Sequence, residues 1–153
     1  MIKNLKQFSV LILLMIAFIS QAQEESKNEW TQFRGPDRSG VSYESLAGID
    51  WPNLEPNLIW KKELGTGFSE LLDSGDLMYT MTSEILDSVT GFAFIDAFNA
   101  PKGEELWRLK EDSKYFDSDG WCDGSVNSTV LEDGHLYCLS GIGKLSAHKA
   151  KDG

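Results

Sequence analysis

The chain has 153 residues, with 14 Lys and Arg against 24 Asp and Glu and a formal net charge of -10. That balance argues against nucleic acid as a partner, because phosphate binding runs on Lys and Arg, and it favours solubility. The two cysteines, Cys122 and Cys138, are too few for a disulfide framework and leave both a bridge and a buried free thiol open.

Lys3 and Lys6 precede an apolar run from Phe8 to Ile19, and Ser20-Gln21-Ala22 is a small-x-small site. This is the order of a secretory signal peptide. The run is shorter than the ~20 residues that a membrane span needs. Residues 1–22 are therefore expected to be a signal peptide, and the protein to be exported, periplasmic or extracellular, with no stable membrane span after cleavage. A retained anchor is the alternative. Residues 23–29 are polar and charged and read as a disordered leader.

Trp30 and Phe33 open a short strand that Gly35-Pro36-Asp37 ends as a turn. Val41 to Leu58, with Gly48, Pro52 and Pro56, is expected to be irregular. Strand candidates follow at 58–62, 68–72, 77–82, 89–96, 105–108, 126–131, 135–140 and 145–148, separated by Gly-rich turns. The β-branched and aromatic content of Val89 to Phe98 favours strand over helix. Leu109 to Ser125 reads as a long loop. Short strands at this spacing define an all-β array.

Two internal echoes organise the array. Ala97-Phe98-Asn99-Ala100-Pro101-Lys102-Gly103 returns as Ala147-His148-Lys149-Ala150-Lys151-Asp152-Gly153. Ser74 to Thr82 resembles Asp133 to Ser140, with one extra turn residue expected in the earlier copy. The sequence 104–108, Glu-Glu-Leu-Trp-Arg, also echoes 57–61, Asn-Leu-Ile-Trp-Lys. Repeats of this kind bury their apolar faces against one another, and about three are needed for stability. Residues 30–153 therefore read as one repeat and most of a second, with remaining units expected elsewhere. Residues 23–153 alone are expected to be marginal or aggregation-prone. A naturally short chain that assembles with others is the alternative.

Trp30-Thr31-Gln32-Phe33-Arg34-Gly35-Pro36-Asp37-Arg38-Ser39-Gly40 resembles the W-x-Q-F-R-G-P-x-R-x-G opening of exported bacterial PQQ-like, or quinoprotein-like, β-propellers. Pro56 to Lys61, with Trp60, resembles their first Trp-bearing strand. Their L-x-A-x-x-A-x-x-G-x-x-x-W blade motif is similar to Ile95, Ala97, Ala100, Gly103 and Trp107, and again to Leu145, Ala147, Ala150 and Gly153. The resemblance implies a β-propeller of four-stranded antiparallel blades, typically seven or eight when complete, of which the first one to two would be present. It implies that Trp107 docks its blade against a neighbour and that Gly103 permits the turn before the outer strand. It also implies two activities: a scaffold binding a protein or glycan partner, or part of an oxidoreductase using pyrroloquinoline quinone and calcium. The adjacent cysteine pair of quinoprotein alcohol dehydrogenases is absent, as is a lipidation cysteine like that of the family's outer-membrane assembly lipoprotein.

No catalytic residue is nominated. Asp117, Asp119 and Asp123 are weak calcium candidates, since calcium takes several hard oxygens, but they do not fill the EF-hand pattern and read better as a solvated acidic loop. His135 and His148 lack partners at zinc-ligand spacing and read as structural or exposed. Arg34 is expected to pair with Asp37 or an acidic loop. Trp121 beside Cys122 reads as core closure before partner anchor. Ser125, Ser128 and Ser140 have no positioned base, and Gly65 to Gly67 and Gly141 to Gly143 lack the helix a phosphate loop needs. The leading expectation is an exported scaffold without chemistry of its own in this segment, and no cofactor in it.

Overall fold

The computed structural model describes residues 29–87, 91–115, 125 and 127–153, with the backbone alone for 112–115. The chain is all-β. Sheet one runs β1 (Leu72–Ser74), β2 (Leu77–Ile85), β3 (Gly91–Asn99) and β4 (Glu105–Tyr115), each antiparallel to the next. Sheet two repeats the meander with β5 (Val130–Glu132), β6 (His135–Leu139) and β7 (Leu145–Lys149). Among the described residues, no helix is long and apolar enough to cross a membrane.

Period-two alternation gives each strand one inward face. In sheet one Tyr79 lies opposite Ala97, Met81 opposite Ile95, and Ala97 and Ile95 opposite Trp107 and Leu109 of β4. In sheet two Leu136 pairs with Leu131, and Cys138 lies two residues along β6 on the same face. These two faces meet. Leu72, Tyr79, Met81, Ile95 and Ala97 form one buried cluster with Leu136, Cys138 and Ala150, closed by Leu77, Trp107, Leu109 and Leu131. The core therefore lies between the sheets, and neither sheet makes it alone.

The opposite face of sheet one is aromatic and capped by cations. Lys110 Nζ sits 3.1 Å from the centroid of Phe92, Arg108 Cζ 4.0 Å from that of Phe94, and Lys62 Nζ 4.9 Å from that of Phe98. The first two rings share a face, as two aromatics two apart in a strand must.

The segments that lead into the two sheets lie side by side. Thr66 pairs with Ser83 antiparallel, extending the line of β1, while Gly67 bridges Ser125 in parallel. Phe68 N–H donates to Ser125 O at 2.7 Å, and the Ser69 hydroxyl to Asn127 O at 2.6 Å. Trp30 and Thr31 then bridge both: the Trp30 backbone exchanges two hydrogen bonds with Asp73, and Leu131 N–H donates to Thr31 O.

Four expectations are corrected. Leu109 to Tyr115 is not loop but the second half of β4. Its residues alternate: Leu109 and Glu111 face sheet two, and Lys110 covers Phe92. No strand ladder forms at 58–62, because the segment has a docking site but no neighbouring edge among the described residues. The strand at Trp30 shrinks to a single bridge before the turns begin. There is no extra turn residue: the β1–β2 and β5–β6 hairpins both turn on two residues, Gly75-Asp76 and Asp133-Gly134. The true register sets Tyr79 opposite Ala97 and, equivalently, Tyr137 opposite Ala147.

Candidate functional site

The repeated stretch makes the same local device twice. After β3, the chain turns through Ala100 to Gly103, with Gly103 N–H donating to Asn99 O; after β7, it turns through Ala150 to Gly153, with Gly153 N–H donating to Lys149 O. Both turns end in left-handed glycines, at φ 68 for Gly103 and 83 for Gly153. Each receives an indole from the chain that precedes it. Trp60 Nε1–H donates to Ala100 O at 2.7 Å, and Trp107 Nε1–H donates to Ala150 O at 3.2 Å. The rings lie over the glycines. A Cβ on Gly103 would come within 2.5 Å of Trp60, and one on Gly153 within 3.5 Å of Trp107. Gly103→Ala is thus expected to cost about 2 kcal/mol or more, from the left-handed angle and the displaced ring together. Gly153→Ala is expected to cost about 1 kcal/mol, from the angle alone. Urea denaturation of both variants checks the order.

A polar pin joins the sheets beside Trp107. Glu111 on β4 is only 2 % exposed. Its Oε1 accepts from the Ser146 hydroxyl at 2.9 Å and lies 2.9 Å from His148 Nε2, and its Oε2 lies 3.2 Å from Lys144 Nζ. Burial pushes the carboxyl up, but the hydrogen bonds from Ser146, Lys144 and His148 outweigh it and the net shift is down. His148 is therefore a structural partner of Glu111, as a reading without zinc spacing expects. Cys138 nearby is a buried free thiol. Burial, reinforced by the charge of Glu111, pushes it up to about 12, so it carries no reactive thiolate.

Asp96 on the other face accepts from the Thr82 hydroxyl and pairs with Arg108 Nε at 3.2 Å. Here burial wins and the carboxyl is raised. Sequence reasoning singled out neither Asp96 nor Glu111. The signal available was an acidic residue interrupting an apolar phase of a strand: Asp96 among Phe92, Phe94 and Phe98, and Glu111 after Trp107 and Leu109.

The opening motif folds into a hydrogen-bonded knot. Gln32 Nε2 donates to Pro36 O at 2.7 Å, Arg38 Nε to Gln32 Oε1 at 3.0 Å, and Gly40 N–H to Arg34 O at 2.8 Å. Trp30 packs on Gly35, where a Cβ would stand 2.9 Å from the ring, while Phe33 is exposed. Arg34 does not pair with Asp37. Its backbone N–H donates to Glu70 Oε2 and its guanidinium to Ser39 O, while Asp37 is taken by Ser39 and Tyr43. The hydrogen bonds from Tyr43 and Ser39 lower the Asp37 carboxyl.

An open cleft of about 500 Å³ lies at this end between the sheets, bordered by Thr31, Tyr79, Leu131, Asp133, Ala150 and Lys151. His135 is exposed and lies 2.9 Å from Asp133 O through Nδ1. Among the described residues no three His, Cys, Asp or Glu side chains are grouped to hold a metal. Glu111, Asp96 and Asp37 lie apart, on the inward face of β4, the outer face of β3 and the opening turn, and each is committed to Ser, Thr, Tyr, Lys, Arg or His partners. They do not fit a calcium site, and no step through a quinone follows from them. Asp117, Asp119, Asp123, Trp121 and Cys122 lie outside the described residues.

Compared with protein-family models, with curated proteins and with solved structures, the chain matches none. What the geometry defines is an all-β protein of two antiparallel sheets, four-stranded and three-stranded, joined by an indole lock and a buried carboxylate.

Proposed function

We propose that the two sheets are consecutive blades of a β-propeller-type array in an exported protein, and that the array is a scaffold for a protein or glycan partner. The observation that carries this reading is the doubled Trp dock. An indole on a strand-like segment seats on the Ala-x-x-Gly turn of the following sheet, first Trp60 on Ala100 and Gly103, then Trp107 on Ala150 and Gly153. The parallel neighbourhood of Gly67 and Ser125 supports it, since inner strands of adjacent radial sheets run side by side in one direction. The scaffold half is supported by the two buried carboxylates among the described residues, which are committed to structural partners: Glu111 to Lys144 and His148, and Asp96 to Arg108.

The test is a pull-down of the full chain against exported proteins, with a glycan array beside it, each hit reconstituted from purified components. A stable complex supports the reading, and no partner of either class contradicts it. Calcium-dependent dye reduction on adding pyrroloquinoline quinone would replace it with the oxidoreductase reading.

A further inference from the structure

The cleft between the two sheets has fixed walls and an uneven charge. Leu131 N–H donates to Thr31 O at 2.8 Å and Ala150 N–H to Gly134 O at 2.9 Å, which ties the opening segment, the β5–β6 hairpin and the turn after β7 around it. Its volume of about 500 Å³ suits a small ligand or one long side chain. Three carboxylates border it, Glu29, Glu132 and Asp133, and none of them forms an ion pair among the described residues. Lys151 is the one cation on that border. Leu77 and Leu131 give it an apolar side, where they pack on the core.

Tyr79 supplies an independent sign of a ligand. It lines the cleft and is only 1 % exposed. Its phenol is raised by burial alone, with no hydrogen bond acting on it. Among the described residues, Thr129 Oγ1 is the one buried side-chain polar atom that lacks both a partner and an opening to solvent. The Tyr79 hydroxyl, also without a partner, therefore keeps an opening, and the cleft provides it. A donor and acceptor left unmade at the end of a buried ring is costly unless something in the cleft completes it.

We propose that the cleft takes an alkylammonium group, with its charge among Glu29, Glu132 and Asp133, its carbon chain along Leu77 and Leu131, and the Tyr79 hydroxyl as a further polar partner. Three carboxylates against one ammonium disfavour an anion. A bare metal ion fits poorly, because among the described residues no three acidic, His or Cys side chains are grouped to hold one. A sugar finds no aromatic face to stack on, because the Tyr79 ring is buried. The lysine side chain of a partner protein and a free amine carry the same chemistry. The first source rests on the scaffold reading, and the second does not.

The full chain, labelled with 15N, is titrated with n-hexylammonium and with a capped Gly-Lys-Gly peptide. The neutral controls are 1-hexanol and the same peptide with acetylated lysine. Amide shifts of Leu131, Gly134 and Ala150 report binding. Saturable shifts are expected with the charged probes, with affinity about tenfold weaker for the neutral ones. Glu132→Gln with Asp133→Asn should weaken the charged probes about tenfold, and Tyr79→Phe about threefold. Lys151→Gln should tighten them, since it removes a like charge, and Glu63→Gln should leave them unchanged. A tighter peptide assigns the ligand to a partner's lysine, and a tighter hexylammonium to a free amine. Equal binding of charged and neutral probes, or no saturable shift in a chain with a dispersed spectrum, would overturn the ammonium site and leave the scaffold reading to its own pull-down. Unchanged affinity in Lys151→Gln and in the double variant would also overturn it, by placing the bound amine elsewhere.

Discussion

Trp107→Ala is expected to lower stability by about 3 kcal/mol and to uncouple the two sheets. The indole donates to Ala150 O at 3.2 Å, lies over Gly153, and meets the ring of Tyr79 at 6.1 Å between centroids. Its removal deletes apolar contact with both sheets and leaves the Ala150 carbonyl without that donor. Trp107→Phe keeps most of the area and loses the donor, so it should cost about 1 kcal/mol plus a packing change. Urea denaturation gives the totals. Amide hydrogen exchange at Leu136 and Cys138 shows where the loss lies: protection in sheet two should fall with that in sheet one. A Trp107→Ala effect within about 0.5 kcal/mol, the range of ordinary surface substitutions, would mean that the ring does not hold the sheets.

Glu111→Ala is the second large loss, about 3 kcal/mol, because it strands Ser146, His148 and Lys144 beside a buried site. The pH dependence follows from the lowered carboxyl. A carboxyl held below its unfolded value contributes stability that is present above that unfolded value and is lost as pH falls through the folded one. Glu111→Gln should therefore show a flatter acid limb than the parent. Asp96 works the other way. Burial raises it, so its protonation becomes more favourable to the fold as pH falls through the raised value. The difference between parent and Glu111→Gln, measured as stability from neutral to acid pH, isolates the first group from the second. Superimposable profiles would contradict the role given to the Glu111 pin.

Much of the array was legible because period-two alternation and Gly turns are local. The strands at 77–82 and 89–96 show in their composition, and Asp133-Gly134 announces its hairpin, but that Tyr79, Met81, Ile95 and Ala97 rather than Phe92 and Phe94 face sheet two does not show there. The Ala-x-x-Ala-x-x-Gly echo, recurring after fifty residues, located both turns that receive an indole. What the sequence hid was set by partners distant in the chain. Leu109 to Tyr115 looked like loop because Lys110, Glu111 and Asp112 are charged, and only the third dimension shows Glu111 pinned to β7 and Lys110 laid over Phe92. Arg34 looked like a partner for Asp37 by proximity, whereas the turn gives Asp37 to Ser39 and Tyr43 and brings Glu70 to the Arg34 backbone. The segment 58–62 has a strand's composition, but a strand also needs an edge. The calcium candidates Asp117, Asp119 and Asp123 fall outside the described residues, so their reading stays where the sequence left it.

The central claim is that two successive repeats are locked by an indole from one seated on the glycine turn of the next. Protein labelled at Trp and Gly allows this to be read directly by nuclear Overhauser contacts. Contacts are expected from the Trp60 ring to the Gly103 α-protons and from the Trp107 ring to those of Gly153, with both indole N–H protons slow to exchange. A Trp107 ring that touches only its own sheet, with an indole N–H exchanging as in free peptide, would contradict it.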